Sequence, residues 1–268
     1  MSERRFSNGA PSMSDLALGF YEGMAEEYHL LFANWPQVVE RQGAMLDALL
    51  RRCEAPPPRR VLDCACGIGT QALGLAGRGY TVHATDLSPA AVARAEREAR
   101  AMNVHLTTAV ADMRALDAQV EGTFPVVLAL DNAVTHLLTD EDLDAAARAM
   151  ASKLAPGGLV VLSVRDADAL VQSQPRFTSE RLLEAPEGRR ILFQIWDWAA
   201  DGRTYTVHQF ILRPEGKGWQ ATEHTGVYRA LQRVDLERAL TRAGLMDTRW
   251  HTPEETGFHQ PILTARRA

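Results

Sequence analysis

An apolar strand that runs into closely spaced glycines and out into a helix leaves a chain few folds to adopt. Residues 61–70, VLDCACGIGT, have that form. A strand, a tight glycine turn and a helix make the opening of a nucleotide-binding βαβ unit. The rhythm continues downstream. YTVHAT (80–85) reads as a second strand, and Ser88-Pro89 set an N-cap and a first-turn proline ahead of a helix. Strands are expected near 105–110, over FPVVLALD (124–131) and over LVVLSVR (159–165), with a helix in TDEDLDAAARAMASKL that ends at Pro156-Gly157-Gly158. Strands alternating with helices predict an α/β fold built on a doubly wound, mostly parallel sheet.

The flanks read differently. Residues 16–34 and 37–52 carry apolar positions at helical spacing, and the proline-rich EAPPPRR (54–60) separates them from the main unit. After residue 170, RRILFQIWDWA, RTYTVHQFILR and GWQATEHTGVYRA alternate or are rich in aromatics, with glycine-containing turns between them. They predict an antiparallel β insertion. A helix is expected over 233–243, ending at Gly244, and two last strands over 246–251 and 260–266. The expected organisation is a disordered leader (1–15), an N-terminal helical lid (16–53), a ligand-binding core (54–170), the insertion on the substrate side (171–230) and a C-terminal return to the core (231–268).

Composition narrows the partners. The chain has 268 residues, 24% of them charged, with a formal net charge of −5 and no Lys/Arg-rich run. That balance speaks against nucleic acid, which leaves a basic footprint. No apolar stretch reaches the ~20 residues of a membrane span, and the polar N-terminus lacks a signal-peptide core, so a cytoplasmic protein is expected. A homo-oligomer is compatible with the composition. Three cysteines are too few for a disulfide framework.

Three ligands compete for VLDCACGIGT. Cys64 and Cys66, two apart on a strand, would share a face, but no second pair completes a metal site, so they read as packing and no metal is expected. The glycines with Ala72 complete G-x-G-x-x-A, the fingerprint of a nicotinamide dinucleotide enzyme. Asp63 argues against it. A carboxylate at the mouth of the loop repels a pyrophosphate and welcomes a ligand with an ammonium and no phosphate. S-adenosylmethionine is such a ligand. Gly67 and Gly69 then allow close backbone approach, beside Ala65. Asp86, next to Leu87, suits ribose hydroxyls, while Asp112 suits the adenine amino group and Met113 the ring. Asp63, Asp86 and Asp112 follow three successive strands at their carboxyl ends, where open α/β sheets bind ligands.

On VLDCACGIGT, ATDLS and VADM, the sequence resembles the class I S-adenosylmethionine-dependent methyltransferases over residues 20–268. The resemblance implies a seven-stranded Rossmann-like sheet whose last strand is antiparallel. A narrower resemblance, carried by LDNAVTHLL (130–138), SVRDAD (163–168) and YEGMAEEYHLLFANW, is to the glycine and glycine/sarcosine N-methyltransferases. It implies a small amine or amino-acid substrate held by Asn132 and Arg165, and a donor contacted by Arg41, Leu130 and His136. Tyr21 and Tyr28 fall in the segment that closes over the site in that group. The DAD after Arg165 and the WDW of the insertion depart from the animal glycine enzymes and lean toward aminosugar N-methyltransferases.

The residues themselves leave roles open. Arg165 ends an apolar strand, so it either pairs with an acid such as Asp166 or Asp168, or receives a substrate carboxylate. Asn132 can bind an amine or cap a turn, and His136 can pack or act. Tyr228 is the insertion residue expected to touch substrate, whereas Trp196, Trp198 and Tyr205 read as packing. No obligatory catalytic base is expected; a proton can pass to water, to His136 or His208, or near Tyr28. Rival readings are an aminosugar or natural-product N/O-methyltransferase, an NAD-dependent oxidoreductase, and an idle ligand-binding protein. A DNA adenine methyltransferase is disfavoured, because DNAV follows the fourth strand where an Asn/Asp-Pro-Pro-aromatic turn belongs.

Overall fold

A computed structural model describes residues 13–185 and 188–268. The expected leader lies outside the described residues up to residue 12, and helix α1 (Met13–Met24) takes in the next three. A single 3-10 turn, Tyr28–Leu31, breaks the 16–34 segment before α2 (Trp35–Arg52) begins behind the Asn34 N-cap. Then β1 (Arg60–Asp63), α3 (Thr70–Ala76), β2 (Thr81–Asp86), α4 (Pro89–Ala101), β3 (Leu106–Val110), α5 (Leu116–Gln119), β4 (Phe124–Ala129), α6 (Asp140–Lys153) and β5 (Leu154–Ser163) alternate as expected, with the short α5 an addition that the sequence pattern did not mark. The Ser88 hydroxyl accepts from the Ala91 amide at 3.1 Å and caps α4. Thr139 does the same for α6 through Asp142.

The seven-stranded sheet has the order β10-β11-β5-β4-β1-β2-β3, where β10 is Leu245–His251 and β11 is Ile262–Arg267. Strands β1 to β5 pair in parallel, and β11 runs antiparallel between β5 and β10. The chain winds outward from β1 to β3, then returns to lay β4 on the other side of β1. The crevice at the carboxyl ends of β1 and β4 is therefore the switch point where such sheets take ligands.

Apolar residues of the central strands alternate between two cores, one beneath α6 and α8 (Arg233–Arg242), the other beneath α2 and α3. Helices α2 and α3 cross at Gly43 and Gly74, where a Cβ on Gly43 would lie 2.4 Å from the Gly74 carbonyl oxygen. Only glycine permits that approach. The two cysteines correct the expected shared face. Strand β1 stops at Asp63 and the chain turns, so Cys64 packs into the first core and Cys66 into the second.

Beyond β5 come α7 (Ala167–Ser173) and the four-stranded antiparallel sheet β6 (Arg181–Ala185), β7 (Gly188–Trp198), β8 (Thr204–Glu215) and β9 (Gly218–Arg229). Trp196, Tyr205, Val207 and Tyr228 form its own small core. The N-terminal segment is stapled to this sheet. Arg190 donates to the carbonyls of Leu30 and Phe32, Arg181 to that of Leu31, and Glu27 pairs with Arg213 and His224. Glu22 reaches the other way, accepting from the Ser88 hydroxyl at 2.6 Å and the Ala90 amide at 2.9 Å. The short α9 (Pro253–Thr256) precedes β11. Among the described residues no helix is long and apolar enough to cross a membrane.

Candidate active site

Two cavities meet at the switch point. The first is lined by Ala65, Gly67, Asp86, Leu87, Asp112 and Met113 from the strand ends, with Tyr21, Tyr28, Leu130 and His136 over them. The second is lined by Tyr28, Asn132, Arg165, Trp196, Gln209 and His259, among others. Tyr28 and Asp131 line both.

The glycine loop is held by its own acid. Gly67 and Gly69 adopt positive φ, at +53° and +95°, which brings the backbone amides inward. Asp86 accepts from the Gly67 amide at 2.8 Å and the Ser88 amide at 2.9 Å. Burial still pushes its carboxyl above the ordinary value. Asp63 lies under the loop, 2% exposed, with one oxygen 3.4 Å from the Ala65 amide and the other without a partner. Burial, reinforced by the charges of Asp86 and Asp131, raises it to about 7. Expected at the mouth of the loop, Asp63 sits beneath it instead: its neighbours Cys64 and Ala65 line the first cavity and Asp63 does not. Asp112 reaches the cavity already clasped by Arg114, at 2.5 Å and 3.0 Å, and Arg114 also pairs with Asp142.

Over the cavity, the Tyr21 hydroxyl lies 3.1 Å from His136 Nε2, and His136 Nδ1 lies 2.9 Å from the Val227 carbonyl. A carbonyl only accepts, so Nδ1 carries the proton and Nε2 accepts from Tyr21. Burial, with a smaller push from Arg165, lowers His136 to about 4 and keeps the ring neutral.

In the second cavity, Asn132 is 6% exposed and uses its side-chain oxygen to accept from the Arg165 amide at 2.8 Å. It therefore sets the backbone that aims Arg165. The acids offered as partners for Arg165 are engaged elsewhere: Asp166 and Asp168 both pair with Arg233. The Arg165 guanidinium instead lies 5.1 Å from the Trp196 ring centroid and 5.5 Å from that of Tyr228, and hydrogen-bonds Tyr205. One terminal nitrogen is buried without a partner. An aromatic cage holding an unneutralised guanidinium is built to receive an anion.

Several expected residues sit elsewhere. Arg41 is exposed on α2 and lines neither cavity, because its helical position faces solvent. Tyr228 is 7% exposed and stacks behind the site, with its ring 4.3 Å from that of His136, so it supports the wall and lines neither cavity. His208 is on the outer face of the insertion, paired with Asp197 and Glu223. Sequence reading missed Asp131, Gln71 and His259. The Asp131 carboxylate accepts from Gln71 Nε2 at 2.7 Å and lies 2.9 Å from His259 Nε2. Trp196, read as packing, also lines the second cavity.

The family model described as a methyltransferase domain matches residues 61–158, the span that supplies the glycine loop and all three acids. Residues 61–158 thus carry a methyltransferase domain. A glycine/sarcosine N-methyltransferase from Parasynechococcus marenigrum (strain WH8102) is 34% identical over 139 residues, 52% of this chain and 48% of that protein. The chain thus spans about half the length of the glycine/sarcosine relative it matches there. A dTDP-3-amino-3,6-dideoxy-alpha-D-glucopyranose N,N-dimethyltransferase from Streptomyces fradiae is 29% identical over 228 residues, 84% of this chain and 85% of that protein. The fold of the methyltransferase domain and its insertion is shared with the S-adenosylmethionine-bound structure of an amino pentose methyltransferase from Micromonospora echinaspora. That likeness has a TM-score of 0.70 at 20% identity and covers 98% of this chain and 100% of that one.

Proposed function

We propose that this protein transfers a methyl group from S-adenosylmethionine to the nitrogen of a small amine that carries an anionic group. The single observation that carries the acceptor class is Arg165, caged by aromatics, unpaired with any described acid and left with a buried, unpartnered nitrogen. An amino acid such as glycine or sarcosine has the required carboxylate beside its amine.

The donor fits the first cavity on the same grounds. Asp63, under the loop whose Cys64 and Ala65 line the cavity, keeps an unpartnered oxygen that answers a cationic amino group, Asp86 answers hydroxyls, and Met113 with Leu87 offers apolar surface to a ring. When bound, S-adenosylmethionine supplies an already activated methyl group. The protein's share is position and dryness, and holding two reactants in near-attack geometry is worth on the order of 7–11 kcal/mol. Because its hydrogen is committed to His136, Tyr21 turns lone pairs to the cavity, suited to a partly positive methyl. Helix α1, whose Ala17, Leu18 and Tyr21 line the first cavity, acts as the lid that excludes water.

A second acceptor, an aminosugar, is favoured by a separate observation. Arg165 also lines a groove that continues past Asp166 to Arg233, Trp250 and Pro253, room that an amino acid does not use. Calorimetry with S-adenosylhomocysteine and NAD, followed by turnover on glycine, sarcosine, ethanolamine and a dTDP-linked 3-aminosugar, separates these readings. S-adenosylhomocysteine binding and turnover of the anion-bearing amines are expected. Tight NAD binding without S-adenosylhomocysteine binding would overturn the proposal.

A further inference from the structure

An amine at neutral pH is mostly an ammonium, with no lone pair to attack a methyl group. If the proposed reaction is correct, the site needs somewhere to put one proton. The imidazoles and phenol singled out from the sequence do not serve. His136 is buried and neutral, and its Nε2 lone pair is already taken by the Tyr21 hydroxyl. Burial raises the Tyr28 phenol, which keeps its own proton. His208 faces away, on the outside of the insertion.

The geometry points to the Asp131–His259 pair as the proton acceptor for the substrate amine. Asp131 lines both cavities, at the junction where donor methyl and acceptor nitrogen must meet. Its backbone is fixed at positive φ, and its amide donates to the Ser163 hydroxyl at 2.7 Å. That hydroxyl donates in turn to Gln260, the neighbour of His259. One carboxylate oxygen is held by Gln71, and the other lies 2.9 Å from His259 Nε2. His259 comes from the loop after α9, lines the acceptor cavity and is half exposed, with 51% of its side chain open. With Nε2 turned to Asp131, Nδ1 is the ring nitrogen left to take a proton, and the half-exposed ring can release it to water.

The step balances. The ammonium gives one proton to His259, and Asp131 stabilises the imidazolium. The amine lone pair then forms the N–C bond as the C–S bond breaks, and its electrons stay on sulfur as a neutral thioether. The product is a methylated ammonium, and His259 loses its proton to solvent. The charged and titratable groups facing the pair are Tyr21, Asp63, Asp86, Asp112, Arg114, His136 and Asp142 on the first-cavity side, Tyr28, Arg165 and Arg181 around the acceptor cavity, and Asp166, Arg233, His251 and Glu254 in the groove beyond.

The test is a pH–rate profile of S-adenosylhomocysteine formation, on whichever panel amine is turned over, for wild type, His259→Asn, His259→Gln and Asp131→Asn. At neutral pH the His259 variants should lose roughly 10²–10⁴-fold in kcat, the range general bases supply. The loss should shrink about tenfold per pH unit as the amine deprotonates in solution. Affinity for S-adenosylhomocysteine should not change. Independently of turnover, nitrogen NMR should show His259 as the Nε2–H tautomer in the wild type and as a mixture of tautomers in Asp131→Asn. A His259 variant within threefold of wild type with the same profile overturns the assignment, as does a tautomer population unchanged in Asp131→Asn. Loss of S-adenosylhomocysteine affinity together with kcat makes the pair structural and also overturns it. Failure of the wild type to methylate any amine counts against the proposed reaction, and the NMR arm still decides the pairing.

Discussion

The two cavities meet at Asp131 yet are built in opposite ways. The floor of the first is assembled in sequence order, from the ends of β1, β2 and β3, with Tyr21 and Tyr28 from the N-terminal segment and His136 from beyond β4 over it. The second draws Tyr28 from the N-terminal turn, Asn132 and Arg165 from the β4 and β5 ends, Trp196 and Gln209 from the insertion, and His259 from the C-terminal loop. The charges differ as well: carboxylates line the first, with only Asp86 among them buried, and a caged guanidinium the second. The floor of the first cavity follows from local chain order, whereas every wall of the second depends on remote pieces coming together.

Substitutions at each side test that division. The largest effect is expected for Asp63→Asn, which removes the charge that a cationic donor group meets. Loss of one partner from a buried ion pair costs about 3 kcal/mol, so affinity for S-adenosylhomocysteine should fall by roughly 200-fold in calorimetry. The ligand-free protein should move the other way. Asp63 is raised from 3.8 to about 7 in the folded state, so on raising pH the unfolded chain releases this proton first. Its contribution is therefore full below pH 4 and lost by the time pH passes 7. Asp63→Asn should then be more stable than wild type at pH 8, by up to about 4 kcal/mol, and nearly equal to it at pH 3.5. A variant that loses stability at both pH values breaks the assignment.

For the second cavity, Arg165→Ala should raise KM for a carboxylate-bearing amine by roughly 100-fold, the cost of losing one member of a desolvated charge pair. Affinity for S-adenosylhomocysteine should stay within threefold. Equal losses on both sides would show that the cavities are not separable. Wild-type donor affinity should itself fall about tenfold per pH unit below 7, because the Asp63 proton must leave before a cation binds. Trp196→Ala removes a cation–π contact of about 1–2 kcal/mol and should raise acceptor KM by roughly tenfold. The smallest effect belongs to Arg41→Ala. An exposed arginine outside both cavities should leave S-adenosylhomocysteine affinity within twofold, and a larger loss would return Arg41 to the donor site.

The legible part of the site is the part with local grammar. A strand that ends at Asp63, a loop whose glycines take positive φ, and an acid at the end of β2 follow from spacing and turn chemistry. Arg165 was visible as a cation at the end of an apolar strand, but its fate depended on whether Asp166 and Asp168 were free. They are not, because Arg233 approaches from the first turn of α8. His259 carried no signal, since a histidine in a loop gains meaning only from the carboxylate beside it. The cysteine faces were misread because period-2 alternation was carried past the last residue of β1.

Alternating apolar strands and capped helices dictate the doubly wound sheet by themselves, since periodicity decides which faces are buried and the right-handed crossover does the rest. VLDCACGIGT with Asp86 and Asp112 likewise places the glycine loop and two carboxylates at the first cavity. What only the tertiary structure decided is the second cavity: which cation stays unpaired, which imidazole meets Asp131, and which aromatics cage Arg165. Those outcomes rest on contacts between residues as much as 128 positions apart, as Asp131 and His259 are. Charge balance over such distances is set by packing, and no local pattern in the chain encodes it.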